Sequence, residues 1–64
     1  MLEGKKIREI REGLKLTISD LSVLSGVSKS RISDIENNKA NPTQDTLEKL
    51  ANAMDCKVSD FYIN

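Results

Sequence analysis

The residues best equipped for chemistry lie in one short run, Ser28-Lys29-Ser30-Arg31-Ile32-Ser33-Asp34-Ile35-Glu36-Asn37. Hydroxyls, carboxylates, an amide and two cations in so few positions suit hydrogen bonding rather than covalent chemistry. The chain has no histidine, so no imidazole can serve a nucleophile as base or bind a metal. It also has no glycine-rich phosphate loop and no cluster of metal ligands, which argues against an enzyme and against any cofactor. Its single cysteine, Cys56, has no disulfide partner. Cys56 reads as a small buried hydrophobe in a chain suited to a reducing cytoplasm.

Folded as a helix, this run has two sides. At about 100° per residue, Ile32, Ile35, Ser28 and Glu36 share one side. Ser30, Ser33, Asp34 and Asn37 share the other, flanked by Lys29 and Arg31. Short polar side chains let a helix backbone approach the base edges of a B-DNA major groove, which is about 12 Å wide. Most polar helix faces meet only water, so the wheel alone does not separate a reading face from a solvated one.

Five helical segments must position this face. The first covers residues 3–13, with Ile7, Ile10 and Leu14 as its apolar stripe and Gly13 at its end. The second covers residues 18–25, with Thr17 as cap, Asp20 in its first turn, Leu21 and Leu24 inward, and Gly26 as a left-handed stop. The third covers residues 29–37, capped by Ser28 and stopped by Asn38. Asn41-Pro42 is a break, because the residue before a proline avoids helical angles. Thr43 then caps a helix over residues 44–54, with Leu47, Leu50, Ala51 and Met54 inward, and a short helix over residues 58–62 follows. Only Gly26 and Val27 separate Ser25 from Ser28, and so tight a turn sets two helices at a steep angle. The expected fold is all-α, one domain over residues 1–64, a compact bundle of five short helices.

Ten basic and ten acidic residues cancel. A nucleic-acid face must therefore come from the placement of charge rather than its total. Asp45, Glu48, Asp55 and Asp60 gather in the C-terminal third, whereas Glu9, Glu12 and Asp20 do not. No apolar run approaches the roughly 20 residues of a membrane span, and residues 1–6 lack the apolar stretch of a secretory signal.

Over residues 7–61 the sequence resembles the phage-repressor and Cro-like helix-turn-helix family, also called the XRE family. The resemblance rests on Leu16-Thr17-Ile18-Ser19-Asp20-Leu21, on Gly26-Val27-Ser28 running through Asn37, on Lys39 and Asn41-Pro42, and on Leu47-Glu48-Lys49-Leu50-Ala51 with Met54. It implies a lambda-repressor-like domain that binds a double-stranded DNA operator and regulates transcription, chiefly as a repressor. Such a protein works in the cytoplasm, at the nucleoid, of a bacterium or a phage host, with no membrane and no small-molecule ligand.

By the same resemblance the third helix enters the major groove, with Ser28, Lys29, Ser30, Ser33 and Asp34 at the base edges. Lys29 can donate to guanine O6 and N7, and Asp34 can accept from cytosine N4, while Ser28 serves mainly as a cap. Phosphates are met by the amides at Thr17, Ile18 and Ser19, by Arg11 and Arg31, and by Asn37, Asn38, Lys39, Asn41 and Thr43, with Gln44 extending the contact. Arg11 and Glu36, commonly paired in the family, tie the first helix to the third. Family members act as twofold dimers with reading helices about 34 Å apart. Tyr62 and Ile63 offer a self-complementary homodimer patch, unless the C-terminus frays. The sequence departs from the family at Ile18, where a polar residue often begins the helix; an isoleucine packs locally or touches a thymine methyl. The alternative for the same fold is a protein-interaction module, such as an antitoxin or an anti-repressor partner, which the neutral charge and Ile18 favour.

Overall fold

The computed structural model describes residues 1–63. Four α-helices follow in order, α1 (Gly4–Gly13), α2 (Ile18–Ser25), α3 (Lys29–Glu36) and α4 (Gln44–Ala53), and a 3-10 turn at Val58–Phe61 closes the series. The helices begin where short polar side chains satisfy free backbone amides. Asp20 N–H donates to Thr17 Oγ1 at 3.0 Å and Thr17 N–H donates back to Asp20 Oδ2 at 2.9 Å, a reciprocal box at the start of α2. Ser28 Oγ accepts from Arg31 N–H at 3.3 Å, and Thr43 Oγ1 accepts from Thr46 N–H at 3.2 Å. α2 stops at Gly26 with φ +77°, a conformation free of strain only for glycine. After α3 the left-handed position falls on Asn38, at φ +59°.

The core is Ile7, Leu21, Val27, Ile32, Ile35, Leu47, Leu50, Ala51, Met54 and Phe61. α2 packs against both α3 and α4, and α1 packs against α3 and the 3-10 turn. Each large side chain so buried stabilises the fold by about 1.5–3 kcal/mol. The two terminal segments lie side by side. Glu3 N–H donates to the Phe61 carbonyl at 2.9 Å, Ile63 N–H donates to the Met1 carbonyl at 2.8 Å, and Leu2 and Tyr62 form an antiparallel bridge between these bonds.

The structure corrects several expectations. The last element is a four-residue 3-10 turn, not a fifth α-helix. Lys57 and Tyr62 on either side of it are extended, which leaves room for one tight turn. Of the expected α1 stripe, Ile7 is buried and Ile10 packs partly buried against the core, but Leu14 is not inward, and Gly4 and Arg11 join the buried side. One helical turn beyond Ile7 is Arg11, whose charge finds a partner inside, so Leu14 is left 50% exposed. Leu24 is 58% exposed instead of inward, because Leu21 and, past the turn, Val27 already fill the inner side of this motif. α3 and α4 each stop one residue early, with Asn37 and Met54 as their C-caps.

Candidate nucleic-acid interface

α3 is held from behind and free in front. Ile32, Ile35 and Glu36 are buried, and Val27 is buried under the turn that leads into the helix. Lys29, Ser30, Arg31 and Asp34 are exposed, as is the capping Ser28, while Ser33 is half-buried. The polar edge read from the wheel is thus an outer edge in the folded chain.

A buried ion pair sets the depth and tilt of α3. Arg11 Nε donates to Glu36 Oε2 at 2.8 Å, Arg11 Nη2 donates to Glu36 Oε1 at 3.2 Å, and Arg11 Nη1 donates to the Leu16 carbonyl at 2.8 Å. The hydrogen bonds to Glu36 push the Arg11 guanidinium further above its ordinary value. Buried charges persist only when paired and hydrogen-bonded, and this pair is both. The expected link between α1 and α3 is present, and these donors of Arg11 have their acceptors inside the protein. A second arginine escaped the sequence reading. Arg8 Nε donates to Glu36 Oε1 at 3.4 Å and Arg8 Nη2 donates to Asn37 Oδ1 at 2.7 Å. The available signal was spacing: Arg8 and Arg11 are three residues apart and share one face of α1.

The flanking residues divide into two groups. Thr17, Ser19, Lys39, Asn41, Thr43 and Gln44 are exposed. Asn37 is exposed, and its Nδ2 donates to the Ser33 carbonyl at 2.8 Å. Ile18 is half-buried and packs against the core, the local role its apolar side chain suggests. Asn38, expected among the phosphate contacts, is exposed, and its side chain also holds the start of α1. Asn38 Oδ1 accepts from Gly4 N–H at 3.0 Å, and its Nδ2 donates to Glu3 Oε1 at 3.1 Å. Gly4 permits this contact, because a Cβ there would fall within 2.6 Å of the Glu36 carbonyl oxygen and closer still to that of Ile35. At the other end of the chain Tyr62 and Ile63 are 37% and 48% exposed. Asp45, beside Thr43, pairs with Lys49 Nζ at 3.3 Å.

Two carboxylates at helix starts make the fold acid-sensitive. The hydrogen bond from Asn38, and then that from Lys5 N–H, hold the Glu3 carboxyl below its ordinary value. Hydrogen bonds from the Thr17 backbone and side chain do the same for Asp20. A lowered folded value means the contribution is complete above the unfolded carboxylate range and lost as pH falls through the folded value. The midpoint of thermal unfolding, followed by circular dichroism, is therefore expected to fall as pH drops below the ordinary carboxylate range, about 4. Asp20→Asn should flatten part of that fall, and an unchanged profile would show that the box at Thr17 adds nothing.

Two short helices joined by a glycine-stopped turn, the second gripped at its back and bare along its polar edge, define a helix-turn-helix domain. The helix-turn-helix family model matches residues 7–61, and the chain belongs to that family, in its phage-repressor-like (XRE) branch. It is 46% identical over 52 residues to the HTH-type transcriptional repressor RghR of Bacillus subtilis, covering 80% of this chain and 38% of that one. It is 39% identical over 59 residues to the immunity repressor protein of Bacillus phage phi105, covering 92% of this chain and 41% of that one. Among solved structures it resembles the restriction-modification controller protein C.AhdI of Aeromonas hydrophila. That match has a TM-score of 0.89 and 29% identity, and it covers 92% of this chain and 89% of the other. The chain thus spans about two fifths of the length of both repressors. Both are regulators by name and neither is named as an enzyme. Among the described residues, no helix is long and apolar enough to cross a membrane.

Proposed function

We propose that this domain binds double-stranded DNA sequence-specifically and regulates transcription, as a repressor, by laying α3 in the major groove. The observation that carries the proposal is the bare polar edge of α3 on a helix fixed from behind by Ile32, Ile35 and the Arg11–Glu36 pair. Lys29, Ser30, Ser33 and Asp34 supply donors and acceptors for base edges, and Ser28 contributes mainly as the cap. The amides at Thr17, Ile18 and Ser19, with Arg31, Asn37, Lys39, Asn41 and Thr43, face the flanking phosphates. One domain reads only a few base pairs, so the working unit is a twofold homodimer joined through Tyr62 and Ile63, with its reading helices about 34 Å apart. The protein acts on chromosomal or phage DNA in the cytoplasm.

The test is selection of bound sites from a pool of random duplexes, followed by titration of the winner. The selected sequence should hold two inverted half-sites, and affinity should fall steeply with salt. Lys29→Ala should weaken binding by about 1–3 kcal/mol and relax the preference at one base position. If Lys29→Ala, Ser30→Ala and Asn37→Ala all bind the selected duplex like the parent, α3 is not the reading element. A specific observation also favours the protein-interaction reading: Val23 and Leu24 on α2 are 84% and 58% exposed. That reading gains if the domain ignores every duplex at low salt and loses a protein partner on Val23→Ser.

A further inference from the structure

Resting on the DNA-binding reading, we infer that Arg8, not Arg11, is the α1 residue that meets the phosphate backbone, and that Arg8 also positions the Asn37 amide. The first argument is charge. Arg8, Arg11 and Glu36 form one connected cluster, with the exposed Glu12 carboxylate at its rim 4.0 Å from Arg11. The Glu36 side chain is 1% exposed and that of Arg11 10%, whereas that of Arg8 is 40% exposed. Arg8 is therefore the cation of the cluster that reaches solvent.

The second argument is the count of donors. A guanidinium carries five N–H groups in a rigid fork. Arg8 directs Nε at Glu36 and one N–H of Nη2 at Asn37, and among the described residues its Nη1 has no acceptor. One edge of the fork is anchored and the other open, which suits a doubly hydrogen-bonded phosphate. Arg11 lacks this freedom, because its Nε, Nη1 and Nη2 all have acceptors inside the protein.

The third argument is position. Asn37 is the C-cap of α3, the negative end of the helix dipole, where a phosphate is repelled unless a cation stands beside it. Arg8 provides that cation. It also fixes the amide. Asn37 Oδ1 accepts from Arg8 while Nδ2 donates to the Ser33 carbonyl, and turning the amide over would break both bonds. Asn37 therefore keeps its NH₂ group on the α3 side, where it meets the Ser33 carbonyl at 2.8 Å and the Ser33 hydroxyl at 3.5 Å.

Arg8→Gln tests the charge, Arg8→Lys tests the bridge, and Lys57→Ala, a loss of charge from an exposed site outside the proposed interface, is the control. The probe is a short random-sequence duplex, titrated between about 50 and 200 mM salt. Arg8→Gln should reduce the slope of log affinity against log salt by about 1, while Lys57→Ala leaves it unchanged. Arg8→Lys should keep the slope, yet shift the Asn37 side-chain amide signals in a ¹⁵N–¹H spectrum as far as Arg8→Gln does. Equal slopes for Arg8→Gln and the parent would overturn the phosphate contact, and unmoved Asn37 signals would overturn the positioning role. A parent domain with no salt-dependent duplex binding is a different result, since it sinks the DNA-binding reading and with it the phosphate contact.

Discussion

Glu36→Ala is expected to remove about 3–5 kcal/mol of stability, a large share of what so short a domain has. The stability of a natural domain is about 0.05–0.15 kcal/mol per residue, so a chain this short has a few kcal/mol to about ten in total. The substitution leaves Arg11, 8% exposed, as a buried cation without its carboxylate. It also leaves Arg8 and Arg11 facing each other with no anion between them. The loss should appear in urea unfolding as a lower midpoint. Replacing both partners, Glu36→Leu with Arg11→Met, should recover much of it, because an apolar pair of similar size needs no compensating charge. A Glu36→Ala protein that unfolds at the parental midpoint would mean the pair holds nothing together.

Gly4→Ala is the second large effect, and its sign is informative. At an ordinary helix position alanine is favoured over glycine by about 0.8–1.0 kcal/mol. At Gly4 the added methyl would press on the carbonyls that end α3, which are backbone atoms and cannot swing aside. Either α1 or α3 must move, and overpacking of this kind destabilises by about 1–3 kcal/mol. Movement of α3 would also disturb the Asn38 clasp on Gly4 and the Arg11–Glu36 pair, so DNA affinity should fall along with stability. Gly13→Ala is the internal control, because a methyl there meets open space. If Gly4→Ala melts at or above the parental temperature, the ends of α1 and α3 do not touch as described.

What the sequence discloses about this domain is mainly local. The Thr17, Ser28 and Thr43 caps, the Gly26 stop and the left-handed Asn38 depend on near neighbours and on allowed backbone angles, so the bounds of α2 follow from a few residues. The outer edge of α3 is legible for a related reason, since a helical wheel needs only the order of residues. The resemblance contributes what a wheel cannot, namely that such an edge is suited to a major groove. The unread features all depend on partners distant in the chain. Arg8 looks like a surface cation until Glu36 and Asn37 are brought within 3.4 and 2.7 Å of it. Leu24 looks like core until Leu21 and Val27 are seen to occupy the space. The second role of Asn38, its amide on Gly4 and Glu3 more than thirty positions earlier, is likewise invisible in the sequence. No pattern in the sequence announces the pairing of Met1 with Ile63.

That pairing bears on how the domain is made. Met1 and Ile63 are 62 positions apart, and Phe61 is the largest fully buried side chain. On the ribosome α3 is complete well before Phe61 has been added. Until it arrives the core has no plug and α1 lacks its strap to the C-terminal segment, so apolar surface stays open to chaperones and proteases. A message cut short upstream of Phe61 is therefore expected to yield a fragment open to clearance rather than a weak competitor for the same DNA.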